Sequence, residues 1–204
     1  PFRNFLQDVI RQYFVRHDQN VGHPMSDWKL ITETDASNVA SVAFTNIFTG
    51  YKIIKFVVIN FKHHRGSGGY GIEFQVNASG QTGYNETITS TGIQAYHYES
   101  GAYEGLDYYG GLAQETVKQE LSSYAGFASE AAVCGELFFY NPSSTVYVKH
   151  FMSNFNGDAD GYSAHHLWGG YVNTTTALSD IEFRTRHGNY NMTAEIQVFG
   201  RVDP

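Results

Sequence analysis

The feature that most constrains the fold is a change of hydrophobic period near Val39. From there onward apolar side chains alternate with polar ones, first over residues 41–48 and then in a long β-branched run over 52–61. A period of two places successive side chains on opposite faces of a pleated strand. A glycine-rich segment at 66–69 precedes a third alternating stretch at 71–76, and this pattern predicts a hairpin.

Several more stretches carry the same pattern, separated by turns of Gly, Asn, Ser and Thr. Fifteen Tyr, fifteen Phe and twenty-one Gly against four Pro are typical of strands joined by tight turns. The chain is predicted to be all-β, with an antiparallel β-sandwich or jelly-roll-like domain over residues 39–204. Residues 100–130 are the least regular part, where we expect loops and one or two helical turns over Leu112–Leu121. A long excursion of this kind has either a function or an ordered path over the surface. The further predicted strands are 92–98, 135–140, 145–154, 164–171, 179–184 and 192–198.

The N-terminal segment, residues 1–38, has a different period. Apolar pairs recur every four residues, which places them on one face of a short helix. This helical arm either caps its own sandwich or docks on a neighbouring subunit, and the sequence leaves both alternatives open. Its candidate partner-interface residues are Phe5, Leu6, Val9, Ile10, Tyr13 and Phe14.

Charge and cysteine content exclude several classes of protein. The net charge is −7, and no segment concentrates Lys or Arg, so we expect no nucleic-acid partner. No apolar run approaches the roughly 20 residues that span a bilayer, and the first residues do not resemble a signal peptide, so we expect no membrane contact. The single cysteine, Cys134, excludes an internal disulfide and a Cys-rich zinc site.

Nine histidines raise the question of a metal site, and two adjacent pairs stand out at 63–64 and 165–166. Neighbours on a strand point to opposite faces, so neither pair chelates as a unit. We interpret these histidines as surface or interface residues and predict no metal ligand.

Residues Asn156, Asp158 and Asp160 resemble the first half of a calcium-binding loop. The twelfth position of such a loop would be Leu167 instead of a bidentate Glu. Asn, Asp and Gly are also the residues of tight turns, so the segment is predicted to be a polar hairpin tip.

The search for a catalytic site finds no candidate. The chain lacks a Gly-x-Ser-x-Gly elbow and a phosphate-binding glycine loop, and Cys134 has no activating neighbour in sequence. We therefore predict a non-enzymatic protein without a cofactor. For glycan binding, Trp168 and Tyr171 are weak candidates, because strand aromatics more often pack in a core or a subunit interface.

A family resemblance enters with the C-terminal stretch 177–200. Its Ile181-Glu182-Phe183, a Gly188-Asn189 turn and a last strand ending Val198-Phe199-Gly200 resemble the closing hairpin of tailed-phage virion proteins. In that group the turn is usually Ser-Gly-Asn and the last strand is of the type Gly-x-Ile-x-Leu-Tyr-Gly. Here His187 replaces Ser and Ala194 replaces Gly. Residues 135–142 and 50–56 resemble two further strands of the group, and the resemblance covers about 39–202.

The resemblance implies a β-sandwich displayed on a virion that is assembled in the host cytoplasm. The expected function is a capsid decoration (cement) or head-fibre protein that contacts other capsid or tail subunits through its N-terminal arm and aromatic-rich loops and forms a homo-oligomer. One alternative is a tail-fibre module that recognises a host surface glycan. A second alternative is a polysaccharide-degrading enzyme.

Overall fold

A computed structural model describes residues 28–66, 69–188 and 190–201. Within those residues the regular structure is β-strand, apart from a 3-10 turn at Arg186–Gly188. No helix among them is long and apolar enough to cross a bilayer. The predicted all-β class is confirmed. The strands are β1 (Trp28–Val39), β2 (Ser41–Phe44), β3 (Ile53–His63), β4 (Ile72–Ala78), β5 (Ile88–Tyr98), β6 (Glu104–Gly110), β7 (Ala113–Glu115), β8 (Gln119–Glu120), β9 (Val133–Tyr140), β10 (Lys149–Asp158), β11 (Tyr162–Val172), β12 (Leu178–Thr185) and β13 (Met192–Arg201).

The strands form two antiparallel sheets that pack face to face, as in a β-sandwich. The larger sheet has the order β1-β13-β3-β9-β10-β11-β5-β6, with β7 paired to β5. The smaller sheet has the order β2-β12-β4-β8. Because the larger sheet has twice as many strands in its main path, part of it extends beyond the smaller one.

The order of the strands within the two sheets separates two regions, which we call the framework and the extension. The framework consists of β1, β13, β3 and β9 facing β2, β12, β4 and β8. The extension consists of β10, β11, β5 and β6, which continue the larger sheet past β9. Its strands come from two insertions, one between β4 and β8 and the other between β9 and β12.

Phenylalanine rings fill the framework core. The Phe183 ring on β12 lies 5.3 Å from that of Phe56 on β3, and the Phe74 ring on β4 lies 5.6 Å from that of Phe139 on β9. Phe74 also contacts Phe151 on β10 at 5.3 Å. Since β4 lies over β9 and β10, the smaller sheet ends with β8 close to β11. The inner faces of β5 and β6 project past that edge.

The two hairpins predicted at 52–76 and 181–200 are wrong in their pairing, although their strands exist. β3 lies in the larger sheet and β4 in the smaller one, and β12 and β13 are likewise in different sheets. Each connection crosses between the sheets. Alternation in the sequence indicates which side chains of a strand are buried, but it does not indicate which strand lies next to it. All strands of a sandwich bury one face and therefore have the same pattern.

Other boundaries also differ from the predicted ones. Residues 28–38, assigned by sequence to the N-terminal arm, belong to β1, which pairs with β13. The rest of that arm, with its predicted helix, lies outside the described residues. The irregular stretch 100–130 contains β6, β7 and β8. The helical turns expected over Leu112–Leu121 are therefore wrong, because β7 and β8 lie there. The strand predicted from residue 145 begins at Lys149, because the hydroxyl of Ser144 accepts hydrogen bonds from the amides of Val146 and Tyr147 in a turn.

Candidate functional site

The residues predicted from sequence as sites do not come together. The six N-terminal interface residues, Phe5 to Phe14, lie outside the described residues. Trp168 and Tyr171 lie on opposite faces of β11, because they are three positions apart on a strand and successive side chains alternate between its faces. Trp168 is buried on the inner face, whereas Tyr171 lies on the outer face with its ring 6.0 Å from that of His150. The two rings therefore cannot stack on the same sugar.

The interpretation of the paired histidines as surface or interface residues is wrong for one member of each pair. His63 and His166 are buried, and burial lowers the pKa of both, that of His166 to about 4. Their neighbours His64 and His165 turn to the opposite face, as the strand geometry requires. Within the described ranges, no group of three or more His, Cys, Asp or Glu side chains could hold a metal ion.

The segment that resembled a calcium loop is a hairpin tip, as predicted. Asp160 and Gly161 both have positive φ between the paired residues Ala159 and Tyr162, which is the geometry of a two-residue type I′ turn. The Asp160 carboxylate accepts hydrogen bonds from the amides of Phe127 and Ala128. This carboxylate is therefore occupied in holding a neighbouring loop.

The most distinctive concave feature is a cleft of about 300 Å³ where the larger sheet extends past β8. Strand β8 forms one wall, and the inner faces of β11 and β6 form the other. Pockets that bind small molecules start at about this volume. We call this feature the β8 cleft, and its lining residues are Tyr109, Gly111, Leu112, Lys118, Gln119, Glu120, Trp168 and Arg186.

Local sequence explains how the two aromatic rings reach the β8 cleft. Gly92 pairs with Trp168 across β5 and β11, and a Cβ atom at Gly92 would lie 2.4 Å from the indole. Only glycine leaves room for the ring there. Tyr109 is the extra residue of a β-bulge between β5 and β6, and bulges redirect side chains. Its ring meets Trp168 edge-on at 5.9 Å.

Three polar atoms of the lining residues are buried without a hydrogen-bond partner among the described residues. They are the Trp168 Nε1, the Gln119 Oε1 and the Glu120 Oε1. The Gln119 side chain uses only its amide nitrogen, which donates to the Glu120 carbonyl at 2.7 Å. Buried polar groups in folded proteins are nearly always paired, so these three atoms are unusual. They are closed off from solvent and are not open to the β8 cleft in this conformation.

The charged groups around the β8 cleft are already paired with one another. Arg186 Nε lies 2.9 Å from a Glu120 oxygen, and Lys118 Nζ lies 2.6 Å from a Glu182 oxygen. Burial raises the pKa of Glu120 to about 7, outweighing the nearby Arg186 guanidinium, which lowers it. Glu73, the cross-strand neighbour of Glu120, adds to the rise. The lining therefore has little surplus charge.

A serine–histidine pair lies next to the β8 cleft. Ser123 Oγ is 2.8 Å from His166 Nε2, and the Tyr109 ring packs edge-on against the imidazole at 5.4 Å. The other ring nitrogen, Nδ1, is buried and has no partner among the described residues. A serine nucleophile requires a histidine that is oriented by a third group, and none of the described side chains fills that role.

A second surface feature lies on the outer face of the extension. In one cross-strand row, Tyr108, Ile93 and Leu167 are direct neighbours. All three are exposed, and Tyr108 is 72 % exposed. The next strands continue the apolar surface. We call this surface the outer-face patch, and it consists of Ile93, Leu106, Tyr108, Tyr140, Met152 and Leu167.

No protein-family model, curated protein or solved structure matches this chain.

Sequence reasoning found one residue of the β8 cleft, Trp168, and missed the polar ones. Gln119 and Glu120 belong to a strand of two residues, which is too short to show a period. The glycine pair at 110–111 was the only available signal for the bulge at Tyr109. The lining residues meet because the smaller sheet ends at β8, and no local spacing encodes that.

Proposed function

We propose that this chain is a non-enzymatic structural component of a tailed-phage virion, either a capsid decoration (cement) protein or a head-fibre protein. The observation that carries the proposal is the outer-face patch, an apolar surface on a rigid sheet. Soluble monomers rarely expose large contiguous apolar surfaces, and such surfaces mark protein contacts. The assignment to a virion rests on the resemblance of segments 50–56, 135–142 and 177–200 to phage proteins.

The strand order of the framework supports a jelly-roll-like arrangement. If its eight strands are renumbered along the chain, one sheet reads 1-8-3-6 and the other 2-7-4-5. Seven connections join these eight strands, and five of them run directly from one sheet to the other. The other two, from β4 to β8 within the smaller sheet and from β9 to β12 between the sheets, contain the insertions. Jelly rolls recur in viral capsid and lectin domains, so the fold fits a virion protein but does not specify its role.

The composition of the outer-face patch suits a subunit contact. Tyr and Met are enriched at protein interfaces, and charged residues are depleted at interface centres. Two of the six residues of the patch are Tyr and one is Met. We infer that the patch contacts a neighbouring copy of this chain, and that the N-terminal segment, through Phe5 to Phe14, contacts the particle.

Immunogold labelling of purified particles of the phage that encodes this chain tests the assignment. The expected result is label distributed over the head. Label confined to the tail would overturn the head assignment in favour of the second candidate. Particles that carry neither label nor peptides of this chain in mass spectrometry would overturn both.

The second candidate is a tail-fibre module that recognises a host surface glycan. The observation that favours it is the β8 cleft, whose lining includes the aromatic residues Tyr109 and Trp168. Trp168 supports this candidate, whereas Tyr171 on the opposite face does not.

A further inference from the structure

We propose that two copies of this chain pair edge to edge through their β6 strands, antiparallel and with the two Leu106 residues opposite each other. The larger sheet then runs on from one copy into the next. The pairing rests on the contact between copies proposed above, and it adds the strand and the register that form this contact. It is the same whether the chain lies on the head or on the tail of a particle.

Strand β6 is an open edge of the larger sheet. Among the described residues it has a neighbouring strand on one side only, β5. Just before β6, the amide of Tyr98 donates a hydrogen bond of 2.9 Å to the carbonyl of Tyr103. Bonded pairs alternate along an antiparallel ladder, so the next residues of β6 that bond to β5 are Gly105 and Asp107.

The alternate residues of β6 direct their backbone groups away from β5. These residues are Glu104, Leu106 and Tyr108, and their amides and carbonyls have no hydrogen-bond partner among the described residues. A second β6 strand, antiparallel and centred on Leu106, would pair all of these groups through about six hydrogen bonds. A row of unpaired backbone groups at a sheet edge is a template for such a strand.

The other sheet edges are protected or short, whereas β6 is neither. Protected edges carry Lys, Pro or bulges. Strand β1 at the opposite edge carries Lys29, and its pairing with β13 is irregular at two places. The edges of the smaller sheet, β2 and β8, have four and two residues. Strand β6 has seven residues, with neither Lys nor Pro among them.

The charges of β6 select the register. With the two Leu106 residues opposite each other, Glu104 lies opposite the partner's Tyr108. Asp107 then lies opposite the partner's Gly105, so no two carboxylates face each other. A register centred on Asp107 would place two carboxylates directly opposite, which is destabilising. A centre nearer either end of the strand would bring the bulge or the turn before β6 into the pairing.

Tyr96 supplies a side-chain contact for the same register. It pairs with Gly105 across β5 and β6, and its hydroxyl oxygen lies 2.7 Å from the position that a Cβ atom of Gly105 would take. The ring therefore lies over the edge strand, and Tyr96 is only partly buried, without a hydrogen bond among the described residues. The partner's Asp107 would lie opposite Gly105 on this face, where its carboxylate accepts a hydrogen bond from the hydroxyl.

The pairing also joins the two outer-face patches. Leu106 and Tyr108 are 69 % and 72 % exposed at the edge of the patch. A two-fold axis perpendicular to the sheet keeps both outer faces on the same side and closes the assembly at two copies. The two Leu106 side chains then become direct cross-strand neighbours, which removes apolar surface from water.

Amide hydrogen exchange of the wild type, measured by NMR, reads the pairing directly. Exchange is compared at about 50 µM and about 2 mM, a range that shifts a weak dimer from mostly free to mostly paired. The amides of Leu106 and Tyr108 should exchange at least about tenfold more slowly at the higher concentration. Those of Gly105 and Asp107, bonded to β5, should be protected at both concentrations.

Two outcomes of this experiment would overturn the proposal, and they have different consequences. If the protein stays monomeric, no contact between copies exists through this edge or through the outer-face patch. If the protein associates while the amides of Leu106 and Tyr108 exchange equally fast at both concentrations, the copies meet elsewhere. Edge pairing is then wrong, and the contact proposed above through the face of the patch stands.

A matched pair of variants separates the backbone of β6 from its side chains. Leu106→Pro removes the outward amide, and proline is tolerated at an edge where that amide faces solvent. Leu106→Ala removes the same side chain but keeps the amide. The proline variant should associate at least about tenfold more weakly than the alanine variant in sedimentation equilibrium. Equal dissociation constants would overturn the pairing. If Leu106→Pro does not fold, the exchange of the wild-type amides decides.

A second matched pair tests the register. Tyr96→Phe keeps the ring over Gly105 and removes the hydroxyl, once in each copy, so it should weaken association at least about tenfold. Tyr171→Phe removes a hydroxyl from the outer face of β11 and should leave association unchanged. An affinity of Tyr96→Phe equal to that of the wild type would overturn the register centred on Leu106.

Discussion

The framework and the extension use aromatic residues in different ways. In the framework, phenylalanines such as Phe48, Phe56 and Phe183 are fully buried. The Phe56 ring on β3 contacts Phe183 on the opposite sheet and Phe48 in the turn between β2 and β3. In the extension, most aromatic residues are tyrosines. Tyr98 and Tyr162 stack at 4.6 Å, and Tyr108 is largely exposed. Phenylalanine has no polar atom to satisfy, whereas the tyrosine hydroxyl requires water or a partner.

This difference indicates that the framework and the extension have different roles. The framework has a second sheet over its inner face and can therefore exclude water completely. The extension has no such cover over β5 and β6, so its inner face carries the β8 cleft and its outer face carries the outer-face patch. We infer that the framework supplies most of the stability and the extension supplies recognition.

The largest expected effect separates the two regions by stability. Phe74→Ala removes a framework core ring that contacts Phe139 on β9 and Phe151 on the adjoining β10, and it should lower the free energy of unfolding by about 3–5 kcal/mol. Tyr108→Ala in the extension removes an exposed ring and should change it by no more than about 0.5 kcal/mol. The midpoints of urea unfolding measure both changes in stability, provided that the free energy of unfolding falls with urea concentration at the same slope in each variant. Equal losses in the two variants would refute the division.

The next effect concerns Glu120, at the junction of the regions. Its pKa is about 7 in the fold and about 4.5 when unfolded, so between these values the folded state holds a proton that the unfolded state has released. Raising the pH through this window should therefore lower the free energy of unfolding, by roughly 3 kcal/mol from this group. Glu120→Gln should remove that contribution, with Arg186 and Glu73 still in place. Urea unfolding from pH 4 to 8 measures the free energy of unfolding of the wild type and of Glu120→Gln. If the two pH profiles run parallel, the contribution assigned to Glu120 is contradicted.

His166 should act in the opposite direction over part of the same pH range. Burial, with His165 and Arg186 nearby, lowers its pKa to about 4, compared with about 6.5 in the unfolded chain. Lowering the pH from 6.5 to 4 should therefore destabilise the fold, by up to roughly 3 kcal/mol from this group. His166→Gln keeps a polar group near Ser123 and should remove this loss.

The two groups partly cancel between pH 4.5 and 6.5. The wild type should therefore show a flatter profile there than either variant. Stability should rise with pH in Glu120→Gln and fall with pH in His166→Gln. A His166→Gln profile that overlays the wild type would show that His166 is not the group responsible.

Sequence predicted the strands better than their arrangement. The period of two identified β3, β9, β11 and β12, because each has one buried and one more exposed face. It did not identify β1, where Ala36 is the only buried side chain, since an edge strand with a polar surface shows little alternation. Pairing was not readable either, as the two failed hairpins show. A run of alternating residues fits any neighbour that buries the same face.

The candidate site was predicted only through Trp168. The residues of the β8 cleft come from positions 109–120, 168 and 186, and the end of the smaller sheet brings them together. Glu120 and Gln119 have no local motif. The buried state of His166 depends on Tyr109 from β6 and on Ser123 from the loop after β8. Burial created by tertiary contacts cannot be read from the alternation of one strand.

The smallest effect on stability, and the sharpest test of recognition by the extension, concerns the outer-face patch. Leu106 and Met152 are 69 % and 57 % exposed, so Leu106→Lys with Met152→Lys should change the free energy of unfolding by less than about 1 kcal/mol. This double substitution places two positive charges in the outer-face patch. It should therefore weaken self-association at least about tenfold. Light scattering coupled to size exclusion, over a range of concentrations, measures the change.

The matched control adds the same charges outside the patch. Val146 and Tyr147 are 68 % and 66 % exposed in the loop between β9 and β10, so Val146→Lys with Tyr147→Lys alters charge and apolar exposure to a similar degree. This variant should associate like the wild type. Dissociation in both double variants would mean that added charge alone separates the copies. A wild type that stays monomeric would mean that the patch does not bind another copy, and recognition by the extension would then rest on the β8 cleft.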